Sequence, residues 1–102
     1  MLELRPICEH CQAALPPNST IAMICSFECT FCATCVSEVL VNVCPNCGGG
    51  FCPRPVRPVT NWHDDNYLTK YPASTTVKYR PVDVARHREL VLQLQGVLPE
   101  ER

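Results

Sequence analysis

Between Cys25 and Cys35 the chain places four thiols in eleven residues, and a close pair stands on either side, Cys8-Glu-His-Cys11 and Cys44-Pro-Asn-Cys47. All nine cysteines precede Pro53. A segment of about 50 residues cannot bury enough apolar surface to hold itself together, so it needs a staple. Disulfides and metal ions are the two candidates. Two thiolates three residues apart can turn onto one ion, so the repeated Cys-x-x-Cys favours metal. Disulfides prefer an oxidising compartment. The opening residues, Met-Leu-Glu-Leu-Arg-Pro, lack the basic and apolar regions of an export signal, and no apolar run is long enough to span a bilayer. The expectation is a cytoplasmic protein with thiolate-bound zinc.

Charge divides the chain. Residues 1–52 carry one base, Arg5, and four acids, Glu3, Glu9, Glu28 and Glu38, whereas residues 53–102 carry eight bases and six acids. Zinc held by four thiolates adds further negative charge to the acidic half. Such a module should repel phosphate and attract its own basic tail or a basic partner.

Local patterns divide the 102 residues into a two-zinc module at 1–52, an extended Pro/Arg connector at 53–59 and an aromatic tail at 60–102. Leu2 and Leu4 alternate with polar residues, as in a short strand. Ile21-Ala-Met-Ile24 is a short apolar strand that delivers Cys25. Ala33 to about Leu40 reads as two helical turns with Val36, Val39 and Leu40 facing inward. Glycines after Cys47 let backbone N–H groups approach the sulfurs. Pro53-Arg-Pro-Val-Arg-Pro58 reads as polyproline-like chain and a domain boundary. Residues 60–81 are irregular, apart from a candidate strand at Val77–Tyr79, and are expected to lie over the module or a partner. Asp83 caps an amphipathic helix of about 84–95 that Gly96 stops. Its apolar stripe holds Val84, Val91, Leu94 and Leu90.

The eight ligands run Cys8-x2-Cys11-x13-Cys25-x3-Cys29-x2-Cys32-x2-Cys35-x8-Cys44-x2-Cys47. Sequential, nested and interleaved pairings are all conceivable. Nested pairing would wrap Cys25 to Cys35 round one ion and leave little chain to separate the metals. Interleaved pairing sets the two sites apart, with Ile24, Phe31, Val36, Leu40 and Val43 packed between. Sequential pairing stays open on spacing alone.

Cys29-Thr-Phe-Cys32-Ala-Thr-Cys35-Val36 and Cys44-Pro-Asn-Cys47 together resemble the RING finger, a cross-brace zinc fold. Phe31, Val36 and Pro45 match its aromatic, aliphatic and proline positions, and Cys29 stands where many RING domains use histidine. The resemblance spans about residues 8–47. It implies a small metal-stabilised α+β fold with a short hairpin, a short helix and two zinc sites of four cysteines each. Cys8, Cys11, Cys32 and Cys35 would form site 1, and Cys25, Cys29, Cys44 and Cys47 site 2. The whole chain also resembles a family of small, cysteine-rich bacterial proteins of unknown function. Ala22 to Cys32, Cys44-Pro-Asn-Cys47-Gly-Gly and Tyr71-Pro-Ala-Ser-Thr75 carry that likeness, which implies no activity.

RING kinship would suggest ubiquitin ligase activity. However, the three positions that recruit a conjugating enzyme in that family hold His10, Asn42 or Val43, and Gly48, and two of them clearly depart. A bacterial source would also lack the ubiquitin machinery. Cys25-x3-Cys29-x-Phe31-Cys32 matches the cluster motif of radical enzymes using S-adenosylmethionine, yet the chain is too short for their partial barrel. Thioredoxin-like chemistry needs one reactive pair beside a βαβ unit, and none is present. Cys52, the ninth thiol, reads as a small buried side chain beside Phe51. His63-Asp-Asp65 reads as a solvated turn.

The sequence therefore points to a non-enzyme with two structural Zn²⁺ ions, acting as a protein-interaction module with a protein partner or a second copy. Trp62, Tyr67, Tyr71, Val84, Val91 and Leu94 are the interaction candidates. Two alternatives stand beside it: a nucleic-acid-binding regulator using Arg54, Arg57, Lys70, Lys78, Arg80, Arg86 and Arg88, which the acidic module disfavours, and a RING-type ligase-like recruiter. No membrane association is expected.

Overall fold

The computed structural model describes residues 1–102. A hairpin forms its centre: β1 (Ala22–Ile24) pairs antiparallel with β2 (Thr30–Cys32) in the register Ala22↔Cys32, Met23↔Phe31, Ile24↔Thr30. The connecting turn returns on itself through Glu28 N–H to Cys25 O (3.0 Å) and Cys25 N–H to Cys29 O (3.2 Å), with Glu28 in the left-handed region at φ 65°. On the far side of β1 lies β3 (Cys52–Pro53), giving a three-stranded antiparallel sheet in the order β2-β1-β3.

Directly after β2 the chain turns helical, as the pattern at Ala33–Leu40 predicts. A first α-helical turn, α1 (Ala33–Cys35), widens into a π-helical turn over Val36–Leu40. Val36 and Leu40 are buried and Val39 half-buried. Two consecutive left-handed residues, Val41 (φ 47°) and Asn42 (φ 58°), end it and aim the chain at Cys44. The helical turns pack on the hairpin through Phe31, Val36 and Leu40. The five residues expected between the metal sites, Ile24, Phe31, Val36, Leu40 and Val43, are all buried, and Phe51 closes edge-on over Phe31 with ring centres 5.6 Å apart.

Near the C-terminus, α2 (Val84–Gln93) starts where Asp83 accepts the Arg86 amide (3.2 Å). It ends two residues before the expected 95, because the bonds tighten to Gln95 N–H→Leu92 O and Val97 N–H→Leu94 O ahead of Gly96 at φ 80°. A short 3₁₀ turn, Pro99–Glu101, follows. The strands expected at Leu2–Leu4 and Val77–Tyr79 do not form. The chain around them instead makes isolated bonds, Ser74 N–H→Leu4 O (3.0 Å) and Arg80 N–H→Glu9 O (2.9 Å), so residues 71–82 strap the N-terminal segment without a ladder. No helix is long and apolar enough to cross a membrane.

Past β3, residues 54–58 take no regular secondary structure, and Arg54 is buried. Its guanidinium donates to the carbonyls of Arg5 (2.8 Å), Leu15 (3.2 Å) and Pro16 (2.9 Å), and burial pulls its pKa down. Arg57 donates to Leu2 O and Tyr71 O, both at 2.7 Å. These two arginines pin the proline-rich stretch to the N-terminal segment.

Candidate metal centres

The first centre joins a turn to the strand–helix junction. Cys8 and Cys11 sit on a turn closed by Gln12 N–H→Cys8 O (3.1 Å) and Cys8 N–H→Ala13 O (2.9 Å), with Gln12 left-handed at φ 65°. Cys32 ends β2 and Cys35 lies one turn further, in α1. The four sulfurs lie within 4.8 Å of one another, and Cys11 and Cys32 are 3.7 Å apart.

At the other end of the hairpin, Cys25, Cys44 and Cys47 bring their sulfurs within 4.8 Å of one another. Cys44 and Cys47 lie on a turn that mirrors the first, closed by Gly48 N–H→Cys44 O and Cys44 N–H→Gly49 O, both 2.8 Å. Gly48 takes φ 78° there, which a glycine adopts without steric cost. Cys29 lies outside that group of three, beside Cys25, with its sulfur accepting the side-chain amide of Asn46 at 3.4 Å. β2 starts directly after Cys29 and ends on Cys32, so three steps of extended chain, about 10 Å, separate the two centres. The grouping is thus first cysteine pair with third, and Cys25 of the second pair with the fourth.

Clustered thiols resist ionisation. Burial pushes the Cys35 thiol well above the ordinary range, with the neighbouring Cys32 and Cys11 adding to it. Burial does the same at Cys44, opposed by the Asn46 and Cys47 backbone N–H groups and reinforced by Cys29 and Cys25. Burial and then Cys25 raise Cys29, against the Asn46 amide. Soft donors forced together in this way are stabilised as thiolates by a soft divalent cation in their midst. The donor set therefore fits a metal ion at each centre.

Glu9, between the two cysteines of the first turn, counts in the sequence only as one of four acids. It is buried, and its carboxylate accepts from Arg5 (2.9 Å), Arg80 (2.8 Å) and the Thr30 amide (2.7 Å). Beside it, His10 Nδ1 accepts the Val82 N–H at 2.9 Å. Glu3 sits below its usual pKa, chiefly because Arg5 donates to it, with help from Ser74 and the charges of Arg5 and Lys78. Burial alone would pull Arg5 down, but its bond to Glu3 and the charges of Glu9 and Glu3 outweigh that and leave it raised. The basic tail thus docks on the acidic half, as the charge division suggests.

Cys52 departs from expectation. It is exposed, not buried beside Phe51, because β3 is a two-residue edge strand with no further strand on its outer side. Of the interaction candidates, Trp62 is 75% exposed and Val84 43% exposed, while Tyr67, Tyr71, Val91 and Leu94 are half-buried. Leu94 lies against Gly48, and His87 Nε2 donates to Leu40 O at 2.9 Å, so α2 rests on the cysteine-rich half of its own chain.

Residues 1–57 match the family described as a protein of unknown function, DUF1272. The chain belongs to that family. It is similar to an uncharacterized protein of Rhizobium meliloti (strain 1021), with 52% identity over 88 residues that cover 86% of this chain and 98% of the relative. No solved structure matches the chain.

Proposed function

We propose that the chain is a non-enzymatic, two-zinc protein-interaction module of the cytoplasm, with a RING-like cross-brace at its centre. The observation that carries the reading is the convergence of the cysteine sulfurs into two groups at opposite ends of one hairpin. With Cys29 joining Cys25, Cys44 and Cys47, each centre is a set of four cysteines. Four thiolates close a tetrahedral Zn²⁺ and leave no position for water or substrate, so both ions are structural.

What a partner would meet is the tail. Trp62 and Val59 are 75% and 74% exposed, and a groove of about 310 Å³ between Pro17, Val56, Pro58 and Leu68 lies alongside. The nucleic-acid alternative has little free charge to work with. Arg54 and Arg57 bind carbonyls, and Lys78, Arg80 and Lys70 face Glu3, Glu9 and Asp65. Only Arg86 and Arg88 of its seven cations make no ion pair or side-chain hydrogen bond.

Two measurements test the proposal. Elemental analysis of the purified chain should find two zinc per molecule, and one or none, or a brown iron-containing product, would overturn the metal assignment. Cross-linking in cells of the source organism should then yield a defined protein partner that Trp62→Ala loses. Recovery of nucleic acid in a salt-sensitive complex instead would favour the regulator.

A further inference from the structure

The two centres differ in what their sulfurs touch. In the second centre each sulfur accepts an N–H at 3.4 Å, Phe27 N–H to Cys25, Asn46 Nδ2–H to Cys29, Asn46 N–H to Cys44 and Gly49 N–H to Cys47, and the Cys47 N–H also faces Cys44. In the first centre no N–H hydrogen bond reaches Cys8, Cys11, Cys32 or Cys35, and the sulfur contacts are among the four thiols themselves, Cys11 to Cys32 and Cys35 to both. An N–H donor draws charge from a thiolate and lowers its nucleophilicity, so metal-bound sulfurs without donors keep most of theirs.

Exposure selects one atom within that set. Cys8, Cys32 and Cys35 are buried, and Cys11 is exposed. The second centre supplies its own control, because Cys47 is also exposed but carries the Gly49 donor. Accessibility therefore does not separate Cys11 from Cys47, whereas hydrogen bonding does.

We propose that Cys11 is a modification site for soft carbon electrophiles, and that the first centre is the reactive one of the two. The inference rests on the metal-centre reading above. In the step, a lone pair of the Cys11 thiolate forms a bond to the electrophilic carbon, and the leaving group departs with the electrons of the bond it breaks. Cys11 becomes a neutral thioether, a weak ligand, and the first centre then gives up its ion. The second centre keeps its own and holds Cys25, Cys29, Cys44 and Cys47 together.

The test uses the full-length, zinc-loaded chain carrying Cys52→Ser, which removes the exposed thiol outside both centres. Iodoacetamide is the probe, with iodide as the leaving group. Peptide mapping by mass spectrometry follows each cysteine, and a chromogenic chelator follows zinc. Cys11 should be alkylated at least about fivefold faster than Cys47, with one zinc released in step with it. Equal labelling, or Cys47 first, would overturn the proposal. Asn46→Ala gives the converse test: loss of its amide should raise labelling of Cys29 and the rate of second zinc release, while Cys11 is unaffected. An unchanged second centre would count against hydrogen bonding as the cause. If the chain bound no zinc at the outset, the metal reading itself would fall, an outcome distinct from these.

Discussion

Glu9 is the side chain on which the two halves of the molecule meet. It ties Arg5, 9% exposed, to Arg80, 59% exposed, while itself only 1% exposed. Removing its charge leaves Arg5 desolvated with Glu3 as its remaining carboxylate, and breaking a buried pair from one side is costly. Glu9→Gln should destabilise the zinc-loaded protein by about 3 kcal/mol in denaturant unfolding. Arg80→Ala should cost under about 1 kcal/mol, since water screens that arm of the pair. Equal effects would mean that the buried arm is not the one that matters. The seven cysteines that gather into the two sulfur groups were legible because thiol spacing is a local signal, and Phe31, Val36, Leu40 and Val43 were legible because they interleave with those thiols. The role of Glu9 was not, because its partners Arg5, Thr30 and Arg80 come together from 4, 21 and 71 residues away in sequence. The edge position of Cys52 depended on a β3 pairing that nothing within two residues announced.

Among the elements, α2 and the proline-rich stretch show the same division. Asp83 and Gly96 marked the ends of α2 because caps are local chemistry. Asp83→Ala should raise amide exchange across the first turn of α2, with a loss of about 1 kcal/mol confined to that helix. The connector reading at residues 53–59 rested on composition, which says that chain is extended but not what it lies against. Arg54 supplies the rest: three carbonyls, those of Arg5, Leu15 and Pro16, converge on one guanidinium. Arg54→Met keeps the aliphatic stem and strands all three acceptors, so a loss of about 2–4 kcal/mol is expected, measured by unfolding with zinc in excess. A near-neutral result would show that water replaces the guanidinium.

On the two-zinc proposal the metal term is the largest for the whole molecule. Structural zinc sites supply about 10–16 kcal/mol each near neutral pH, as much as or more than the net stability of an ordinary domain. Chelation should therefore collapse the circular dichroism of the hairpin and free α2 with it. Proton balance gives the sharper check. Burial and neighbouring sulfurs hold Cys29, Cys35 and Cys44 above the ordinary thiol range when no cation is among them. The unfolded, chelated chain, whose thiols return to their ordinary pKa of about 8.5, keeps its protons at neutral pH too, and a cation can enter only as they leave. Zinc uptake by the chelated protein should release about eight protons per chain, one for each ligand thiol, seen as a drop in pH in unbuffered solution. The sign follows directly: affinity falls as pH falls, by up to about four decades per pH unit at each centre, because each lost proton enters the equilibrium once. A release near six would mean that two of the eight sulfurs stay outside the coordination. Cys29, the one ligand candidate outside the sulfur groups, would then be the first to examine.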